Sequence, residues 1–210
     1  MAEPGAGSLA DGRARRSLAA SGSGRTRLVL LGPPNAGKGT QAVAVAGRLQ
    51  VPRISTGDML REEVASKSKL GLRVDGIMAR GELVDDETMA AVVRSRLGQP
   101  DARVGFLLDG YPRTVPQAET LEAILSDMGE SLDAVVLLEV PDDELVRRAL
   151  LRGRADDRED VLRERLRVYH DKTKPLEGYF SKRGLLQAID GNREIGQVTE
   201  QVLKALGLAA

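Results

Sequence analysis

The sequence predicts a three-layer α/β fold, in which a five-stranded parallel sheet is flanked by helices. Five short apolar runs, the clearest of them continuous and not alternating, have the pattern of strands buried on both faces. Helical patterns separate these runs, as expected of βαβ units and a parallel sheet. A glycine-rich loop directly follows the first run, which places a loop of special backbone geometry where such sheets bind ligands.

The predicted strands lie at Leu28–Leu31, Arg53–Ile54 leading into Ser55, Val104–Leu108, Ala134–Val140 and Leu185–Ile189. The predicted helices lie at Lys38–Leu49, Thr88–Leu97, Val115–Met128, Asp142–Arg152 and Arg158–Lys172. Ligands of parallel sheets bind at the carboxyl ends of the strands, so the residues that follow each strand are the first candidates for a functional site.

The loop Gly32–Thr40 has the pattern G-x-x-x-x-G-K and indicates a site for the phosphates of a nucleotide. Its glycines let backbone N–H groups point at phosphate oxygens, and the next helix directs its positive dipole end to the same place. Lys38 would reach the terminal phosphates, and Thr40 or its neighbours would serve a bound metal. An ordinary glycine-rich turn is the alternative interpretation. Asn35 stands where such loops usually carry glycine.

Two further loops carry charged residues directly after strands. Ser55 or Thr56 would cap a helix that has Arg61 one turn inside it, although a capped helix with a solvated arginine has the same pattern. Asp109 follows the third strand, where a carboxylate beside a phosphate loop can hold the water shell of Mg²⁺. Arg113 lies in a Gly/Pro turn and could bind a phosphate bidentately, with an ordinary charged turn as the alternative.

Arginines cluster at the end of the fourth predicted helix and on the next one. Arg148 and Arg152 are four residues apart, so they share one helix face. Gly153 breaks the helical pattern before Arg154, and Arg165 lies on the following helix. Such clusters are usually solvated faces with salt bridges, but phosphoryl transfer also needs several guanidinium groups around the moving phosphate.

Composition excludes several function classes. Lys+Arg and Asp+Glu both number 31, so no net charge would attract nucleic acid or an anionic membrane. The chain contains no cysteine, which removes disulfides and thiolate zinc sites and is consistent with the cytoplasmic location that we expect. No apolar run approaches the roughly 18 residues of a transmembrane helix. Aromatic residues make up only 2% of the chain, so backbone groups and arginine must replace ring stacking in nucleotide recognition.

Residues 1–24 are rich in Gly, Ala and Ser and are expected to form a disordered tail. They lack the apolar segment of a secretory signal. An organelle transit peptide is the alternative, and Glu3 and Asp11 argue against it. Residues 25–210 suit one domain of ordinary size.

In combination, these motifs resemble those of the adenylate kinases, within the nucleoside monophosphate kinase family. The resemblance runs from about Arg27 to Leu206 and depends on four motifs: Gly32–Thr40, Ser55–Asp58 with Arg61, Asp109–Arg113 with Gln117, and Arg154 followed by Asp156 and Asp157. It implies a P-loop fold with a core (25–54, 85–150 and 159–210), an AMP-binding lobe (55–84) and a lid (151–158). It also implies reversible phosphoryl transfer from MgATP to AMP, giving two ADP, by a monomer that binds neither nucleic acid nor a membrane.

The resemblance implies two nucleotide sites with charged residues between them. The residues expected to bind ATP are Asn35, Ala36, Gly37, Lys38, Gly39, Thr40, Arg148, Arg152, Gly191 and Arg193. Those expected to bind AMP are Thr56, Arg61, Met78, Glu82, Leu83, Val84, Gly110, Tyr111, Pro112, Arg113, Gln117, Arg154 and Arg165. Those expected to act in catalysis are Lys38, Asp109, Arg113, Arg152, Arg154 and Arg165. Asp109 would orient hydrated Mg²⁺, and Arg148 would lie against the adenine of ATP.

The predicted lid is short. Longer relatives insert a small lobe, sometimes zinc-bound through cysteines, where only Gly153 separates Arg152 from Arg154 in this chain. The chain therefore resembles the short-lid class, without a zinc site, in which a compact hinge would exclude water and bring the arginines inward.

The residues at a few positions distinguish an adenylate kinase from alternative functions. Relatives that phosphorylate UMP or CMP tend to have alanine and asparagine at the positions of Thr56 and Gln117, and these two residues favour AMP. Shikimate-type kinases share the phosphate loop but lack the Asp109–Arg113 and glutamine motifs. Asn35 suggests a catalytically weakened nucleotide sensor because its side chain adds bulk beside the phosphates, although asparagine is the least costly non-glycine residue in a left-handed backbone.

Overall fold

The structure, a computed structural model, describes residues 26–152 and 158–208 and contains one parallel sheet of five strands. The strands are β1 (Thr26–Leu31), β2 (Arg53–Ser55), β3 (Gly105–Asp109), β4 (Ala134–Glu139) and β5 (Leu186–Asp190), in the spatial order β2-β3-β1-β4-β5. The described helices are α1 (Lys38–Leu49), α2 (Thr56–Ala65), α3 (Lys69–Ala79), α4 (Asp86–Leu97), α5 (Val115–Asp127), α6 (Asp142–Arg152), α7 (Glu159–Val168), α8 (Pro175–Lys182) and α9 (Ile195–Ala205). The predicted α/β class is confirmed.

The expected tail (1–24) and residues 153–157 of the expected lid lie outside the described residues.

The two faces of the sheet bury alternate residues of β1, as continuous apolar strands require. Val29 and Leu31 belong to one hydrophobic cluster, which also takes in residues of α2 to α5 and α8. Leu28 and Leu30 belong to a second cluster on the opposite face, against α1 and α9. None of these four side chains is more than 5% exposed, so helices cover both faces of the central strand.

The strand register brings the predicted site loops to one edge. Asp109 at the end of β3 pairs with Leu30 on one side and with Ser55 on the other. The three strands therefore end side by side with β3 in the middle, and the loops after β1 and β2 each begin one strand spacing from the loop after β3.

Element boundaries differ from the predicted ones where local interactions decide them. Val104 was expected in a strand but ends a 3₁₀ turn (Pro100–Val104) and is 54% exposed. Helix α4 starts at Asp86, two residues before the predicted start, because the side chain of Asp85 caps it by accepting from the backbone N–H of Thr88 at 2.8 Å. The helix predicted for Arg158–Lys172 is α7 followed by a π-helical turn (Tyr169–Thr173).

Candidate active site

The carboxyl edge of the sheet borders a cavity of about 900 Å³. It is lined by the phosphate loop, by the segments after β2 and β3, by the α3–α4 loop, and by parts of α6, α7 and the β5–α9 connection. The expected site residues that line it are Asn35, Ala36, Gly37, Lys38, Gly39, Thr40, Thr56, Arg61, Met78, Glu82, Leu83, Val84, Asp109, Gly110, Pro112, Arg113, Gln117, Arg148, Arg165, Gly191 and Arg193.

The phosphate loop is built as the sequence pattern requires. Gly37 has a φ of 92° and is the N-cap of α1, which starts at Lys38. Gly32 has a φ of 144°, and a Cβ atom there would lie only 2.8 Å from the carbonyl oxygen of Leu138. The ammonium group of Lys38 donates to the carbonyl oxygens of Gly32 and Pro33, each at 2.8 Å. The lysine charge therefore lies within the loop, at the positive end of α1.

Asn35 adopts the left-handed conformation, with a φ of 67°. This explains why glycine suits the position and why asparagine is the tolerated alternative. Asn35 is partly exposed and is one of the residues that line the cavity.

Three arginines from different elements face the same part of the cavity. The side chain of Arg113 is oriented by its Nε, which donates to the carbonyl oxygen of Gly110 at 2.7 Å. Burial lowers the pKa of Arg113; the Asp109 carboxylate counteracts this, and the positive charges of Arg165 and Arg61 lower the pKa further. Positive charges that repel one another around a cavity attract an anion, and guanidinium groups suit a phosphate.

Glycines make room for these side chains. Gly110 has a φ of 88°, and a Cβ atom there would lie 2.9 Å from the hydroxyl oxygen of Thr56 and 3.3 Å from Nη2 of Arg113. A Cβ atom on Gly57 would lie 3.3 Å from both terminal nitrogens of Arg61. The buried hydroxyl of Thr56 also donates to the carbonyl oxygen of Asp109 at 3.4 Å, which joins the loops after β2 and β3.

Of the two candidates for the helix cap, Ser55 and Thr56, Ser55 is the cap and Thr56 begins the helix. The side chain of Ser55 accepts from the backbone N–H of Asp58 at 3.3 Å and caps α2. Thr56 is the first residue of the helix and is 1% exposed.

Arg53 lines the cavity and is a site residue that the sequence patterns do not indicate. Its Nη2 lies 3.0 Å from Oδ2 of Asp109 and 2.9 Å from Oδ2 of Asp58, and Asp58 also pairs with Arg61. Burial alone would lower the pKa of Arg53, but its hydrogen bonds to the two carboxylates raise the pKa overall. The sequence signal for Arg53 is a positively charged residue at the start of an otherwise buried strand. The partner of Arg53, Asp109, is 56 positions away along the chain, so the local sequence does not indicate the pair.

The amide of Gln117 is 2% exposed and has two partners. Its Oε1 accepts from the backbone N–H of Arg113 at 2.7 Å, and its Nε2 donates to Oδ1 of Asp86 at 2.7 Å. Asp86 was also missed, since nothing in its local sequence distinguishes it from other acidic residues in a first helical turn.

Tyr111 lies behind the cavity and is not among its described lining residues. Its side chain is 1% exposed, and its hydroxyl donates to the carbonyl oxygen of Gln117 at 3.1 Å. Burial, together with the Asp86 charge, raises the pKa of Tyr111 to about 12. The hydroxyl of Tyr111 therefore supports the backbone of Gln117, and the expected role of Tyr111 in AMP binding stays a prediction.

The opposite part of the cavity contains Arg148. Its Nε donates to Oε1 of Glu144 at 2.7 Å, and its two terminal nitrogens donate to the carbonyl oxygen of Gly191 at 3.2 Å each. Hydrogen bonds from Arg147 and Arg148 lower the pKa of Glu144 to about 2. Arg193 pairs with Asp190 at 2.8 Å. These contacts hold the guanidinium of Arg148 against the loop that follows β5.

Two of the expected arginines lie partly or wholly outside the described residues. Arg152 is the last residue of α6, and its side chain is not among the described parts of the chain. Arg154 lies outside the described residues. Their convergence on phosphates stays a prediction.

Asp109 is the carboxylate best placed for a hydrated metal ion. It is 7% exposed, and its Oδ2 lies 3.9 Å from where a Cβ atom on Gly39 would be, so it faces the phosphate loop. Within residues 26–152 and 158–208, no three or more His, Asp or Glu side chains are grouped to hold a metal by themselves. A carboxylate that acts through water on an ion brought by a nucleotide fits this arrangement.

No helix in the described part of the chain combines the length and the apolarity needed to cross a bilayer.

Comparison with known proteins identifies relatives over most of the chain. A sequence model of the family described as Adenylate kinase matches residues 30–185. A protein of Nocardia farcinica named adenylate kinase is 50% identical over 181 residues, covering 86% of this chain and 99% of the relative. Proteins of the same name from Xanthomonas campestris pv. campestris (50% over 185 residues; 86% and 99%) and a Synechococcus species (48% over 182 residues; 87% and 99%) are similar to the same extent.

Proposed function

Because the chain belongs to the adenylate kinase family and transfers a phosphoryl group between ATP and AMP, we propose that its cavity binds the two nucleotides with their phosphates facing each other. One observation supports this above all: a single cavity is lined by the phosphate loop, the arginine cluster and Gln117. A donor bound on the loop and an acceptor bound beside Gln117 would therefore place their phosphates in the same space.

The donor nucleotide occupies the side formed by α1, α6 and the β5–α9 connection. The N–H groups at the start of α1 and the ammonium of Lys38 bind its phosphates. The flat guanidinium of Arg148, held by Glu144 and Gly191, lies against its adenine. This arrangement replaces ring stacking in a chain with few aromatic residues.

The acceptor nucleotide occupies the side formed by α2, the α3–α4 loop and the start of α5. Arg61, Arg113 and Arg165 bind its phosphate, which relieves the mutual repulsion of these guanidinium groups. Thr56, Met78 and the segment Glu82–Val84 surround its base and ribose, and Gln117 contacts the edge of the adenine.

The reaction proceeds through positioning and electrostatic stabilisation and needs no general base of unusual pKa. Asp109 would hold Mg²⁺ through its water shell, and the ion would supply positive charge beside the phosphates. Lys38 contacts the phosphoryl group from the donor side and Arg113 from the acceptor side. Arg165 adds a further positive charge, as would Arg152 and Arg154, whose side chains are not among the described parts of the chain.

Segments 55–84 and 151–158 act as the AMP-binding lobe and the lid. Segment 55–84 carries Arg61, and segment 151–158 follows Arg148 along the chain; both arginines line the cavity, so movement of the two segments inward would exclude water from the phosphates. By the same resemblance, the enzyme is a cytoplasmic monomer.

Acceptor specificity tests the proposal against a UMP- or CMP-kinase. A coupled assay with MgATP should show ADP formed from AMP at a kcat/KM well above that for UMP or CMP. Gln117→Asn should shift this preference toward pyrimidines, because a shorter amide reaches less far into the base site. Higher activity with UMP or CMP in the wild type would contradict the proposal. ATP binding without any ADP formation would support the sensor alternative that Asn35 raises.

A further inference from the structure

The side-chain amide of Gln117 lies between two groups of opposite hydrogen-bonding character. The backbone N–H of Arg113 donates to Oε1, and the carboxylate of Asp86 accepts from Nε2, both at 2.7 Å. A backbone N–H can only donate and a carboxylate can only accept, so each partner by itself determines which end of the amide is oxygen. The two partners agree, and the amide therefore has one favoured orientation.

Asp86 acts from behind the glutamine. Gln117 is almost fully buried and lines the cavity, whereas Asp86 is exposed at the start of α4 and is not among the described lining residues. The hydroxyl of Thr114 lies 3.4 Å from both carboxylate oxygens of Asp86 and 3.2 Å from the backbone N–H of Gln117. The cap of α5 thus connects the carboxylate to the same turn that carries the glutamine.

The orientation determines what Gln117 offers to a base. An amide has two N–H donors and two oxygen lone pairs, and Asp86 and Arg113 use one of each. One donor and one acceptor remain, in fixed positions. Adenine presents an acceptor at N1 and a donor at its 6-amino group, whereas hypoxanthine presents a donor at N1–H and an acceptor at O6. An amide that matches adenine therefore opposes hypoxanthine at both atoms unless it turns over.

We propose that Asp86 is a positioning residue for base specificity, which holds the amide of Gln117 in the orientation that accepts a 6-aminopurine and rejects a 6-oxopurine. This rests on the proposed function, in which Gln117 meets the base of the acceptor nucleotide. A flipped amide would direct its oxygen at the Asp86 carboxylate and its NH₂ group at the N–H of Arg113. Both contacts would be repulsive, so the flip that a 6-oxopurine needs is unfavourable.

The variant Asp86→Asn tests the proposal with AMP and IMP as acceptors at saturating MgATP. The new side-chain amide can donate to a flipped Gln117 oxygen, so one of the two restraints is lost. The ratio of kcat/KM for AMP to that for IMP should fall by about ten- to a hundredfold, the range expected when a hydrogen bond to a charged group no longer discriminates. The change should lie in the KM for the monophosphates, and the KM for ATP should not move.

Asp85→Asn is the matched control. Asp85 is the adjacent carboxylate and caps α4 through the N–H of Thr88, and no hydrogen bond joins it to Gln117 among the described contacts. This variant should keep the cap, because asparagine caps a helix about as well as aspartate, and should leave the AMP-to-IMP ratio as in the wild type. Asp86→Ala, which removes the carboxylate without offering a donor, should also lower the ratio. Melting temperatures of all three variants separate folding effects from base preference.

An unchanged ratio in Asp86→Asn and Asp86→Ala would overturn the proposal, and so would an equal loss of activity toward both acceptors, which indicates a merely structural role. A wild type that does not prefer AMP to IMP would also overturn it. These results leave the proposed function intact if the wild type makes ADP from AMP. A wild type that makes none contradicts the proposed function itself.

Discussion

At the scale of single residues, the site depends on conformations and charges that few other side chains could supply. The left-handed backbone at position 35 and the positive φ of Gly37 shape the phosphate loop. Arg113 is held in place by its hydrogen bond to Gly110 before any ligand arrives. Preorganised groups of this kind bind a phosphate without first losing side-chain freedom.

Asn35 is the residue at which the loop departs from its usual pattern. Asn35→Ala should lower the free energy of unfolding by about 1 kcal/mol. The Cβ atom of alanine is unfavourable in a left-handed conformation, and alanine has no polar side chain to form the local hydrogen bonds by which asparagine offsets this cost. Asn35→Gly should keep stability near the wild-type value and change kcat or the KM for ATP modestly, since it removes bulk beside the phosphates. Chemical denaturation and the coupled assay measure the two effects. Identical kinetic constants for Asn35→Gly and the wild type would show that the side chain does not perturb the site.

Arg113 should account for much of the acceptor affinity. Arg113→Ala removes hydrogen bonds to a phosphate worth about 1.5–3 kcal/mol each, so AMP should bind at least tenfold more weakly, as measured by calorimetry. Arg163→Ala is a suitable control because Arg163 is exposed on α7 and pairs only locally with Glu159 among the described contacts. Unchanged AMP affinity in Arg113→Ala would remove this residue from the acceptor site.

At the scale of elements, the AMP side of the cavity depends on how closely α2 and α3 approach each other. Gly71 in α3 packs directly on the backbone of α2: a Cβ atom there would lie 2.0 Å from the carbonyl oxygen of Glu63. Backbone atoms cannot move aside as a flexible side chain can. The helix that presents Thr56 and Arg61 is therefore positioned by a glycine outside the cavity lining.

Gly71→Ala should separate the two helices and cost about 1–3 kcal/mol of stability, the range for overpacked sites. The KM for AMP should rise more than the KM for ATP, because α2 and α3 carry acceptor-side residues only. Gly47→Ala is the control: this glycine lies in α1, no atom lies within 4 Å of its added Cβ, and the change should stabilise the helix by about 0.5–1 kcal/mol. If Gly71→Ala changed stability and the two KM values no more than Gly47→Ala does, the close packing of α3 on α2 would not be what positions the acceptor side.

The elements also show where sequence patterns predict structure and where they do not. The prediction for β4 is correct to within one residue, and that for β1 has the correct end but starts two residues late; strands buried on both faces give continuous apolar runs. Helices α3, α8 and α9 were missed among charged and glycine-containing stretches. The phosphate loop was recognisable because its chemistry is local. Arg53 and Asp86 were not, because their importance arises from contacts with Asp109 and Gln117, which are 56 and 31 positions away.

At the scale of the whole molecule, parallel strand order places every described part of the site at one edge of the sheet. The donor side is built from the elements around β1, β4 and β5, and the acceptor side from those around β2 and β3. The central strand β1 ends between them, so the phosphate loop and the arginine cluster meet at the middle of the edge. This division explains why substitutions on one side should affect one nucleotide more than the other.

A crystal structure with a bisubstrate analogue, in which five phosphates join two adenosines, would show whether the two nucleotides face each other in this cavity. We predict one adenine within hydrogen-bonding distance of the Gln117 amide and the other against the guanidinium of Arg148. The phosphates between them should contact Lys38 on one side and Arg61, Arg113 and Arg165 on the other. An analogue bound with no adenine at Gln117, or with its phosphates away from the arginine cluster, would contradict this arrangement of the two nucleotides.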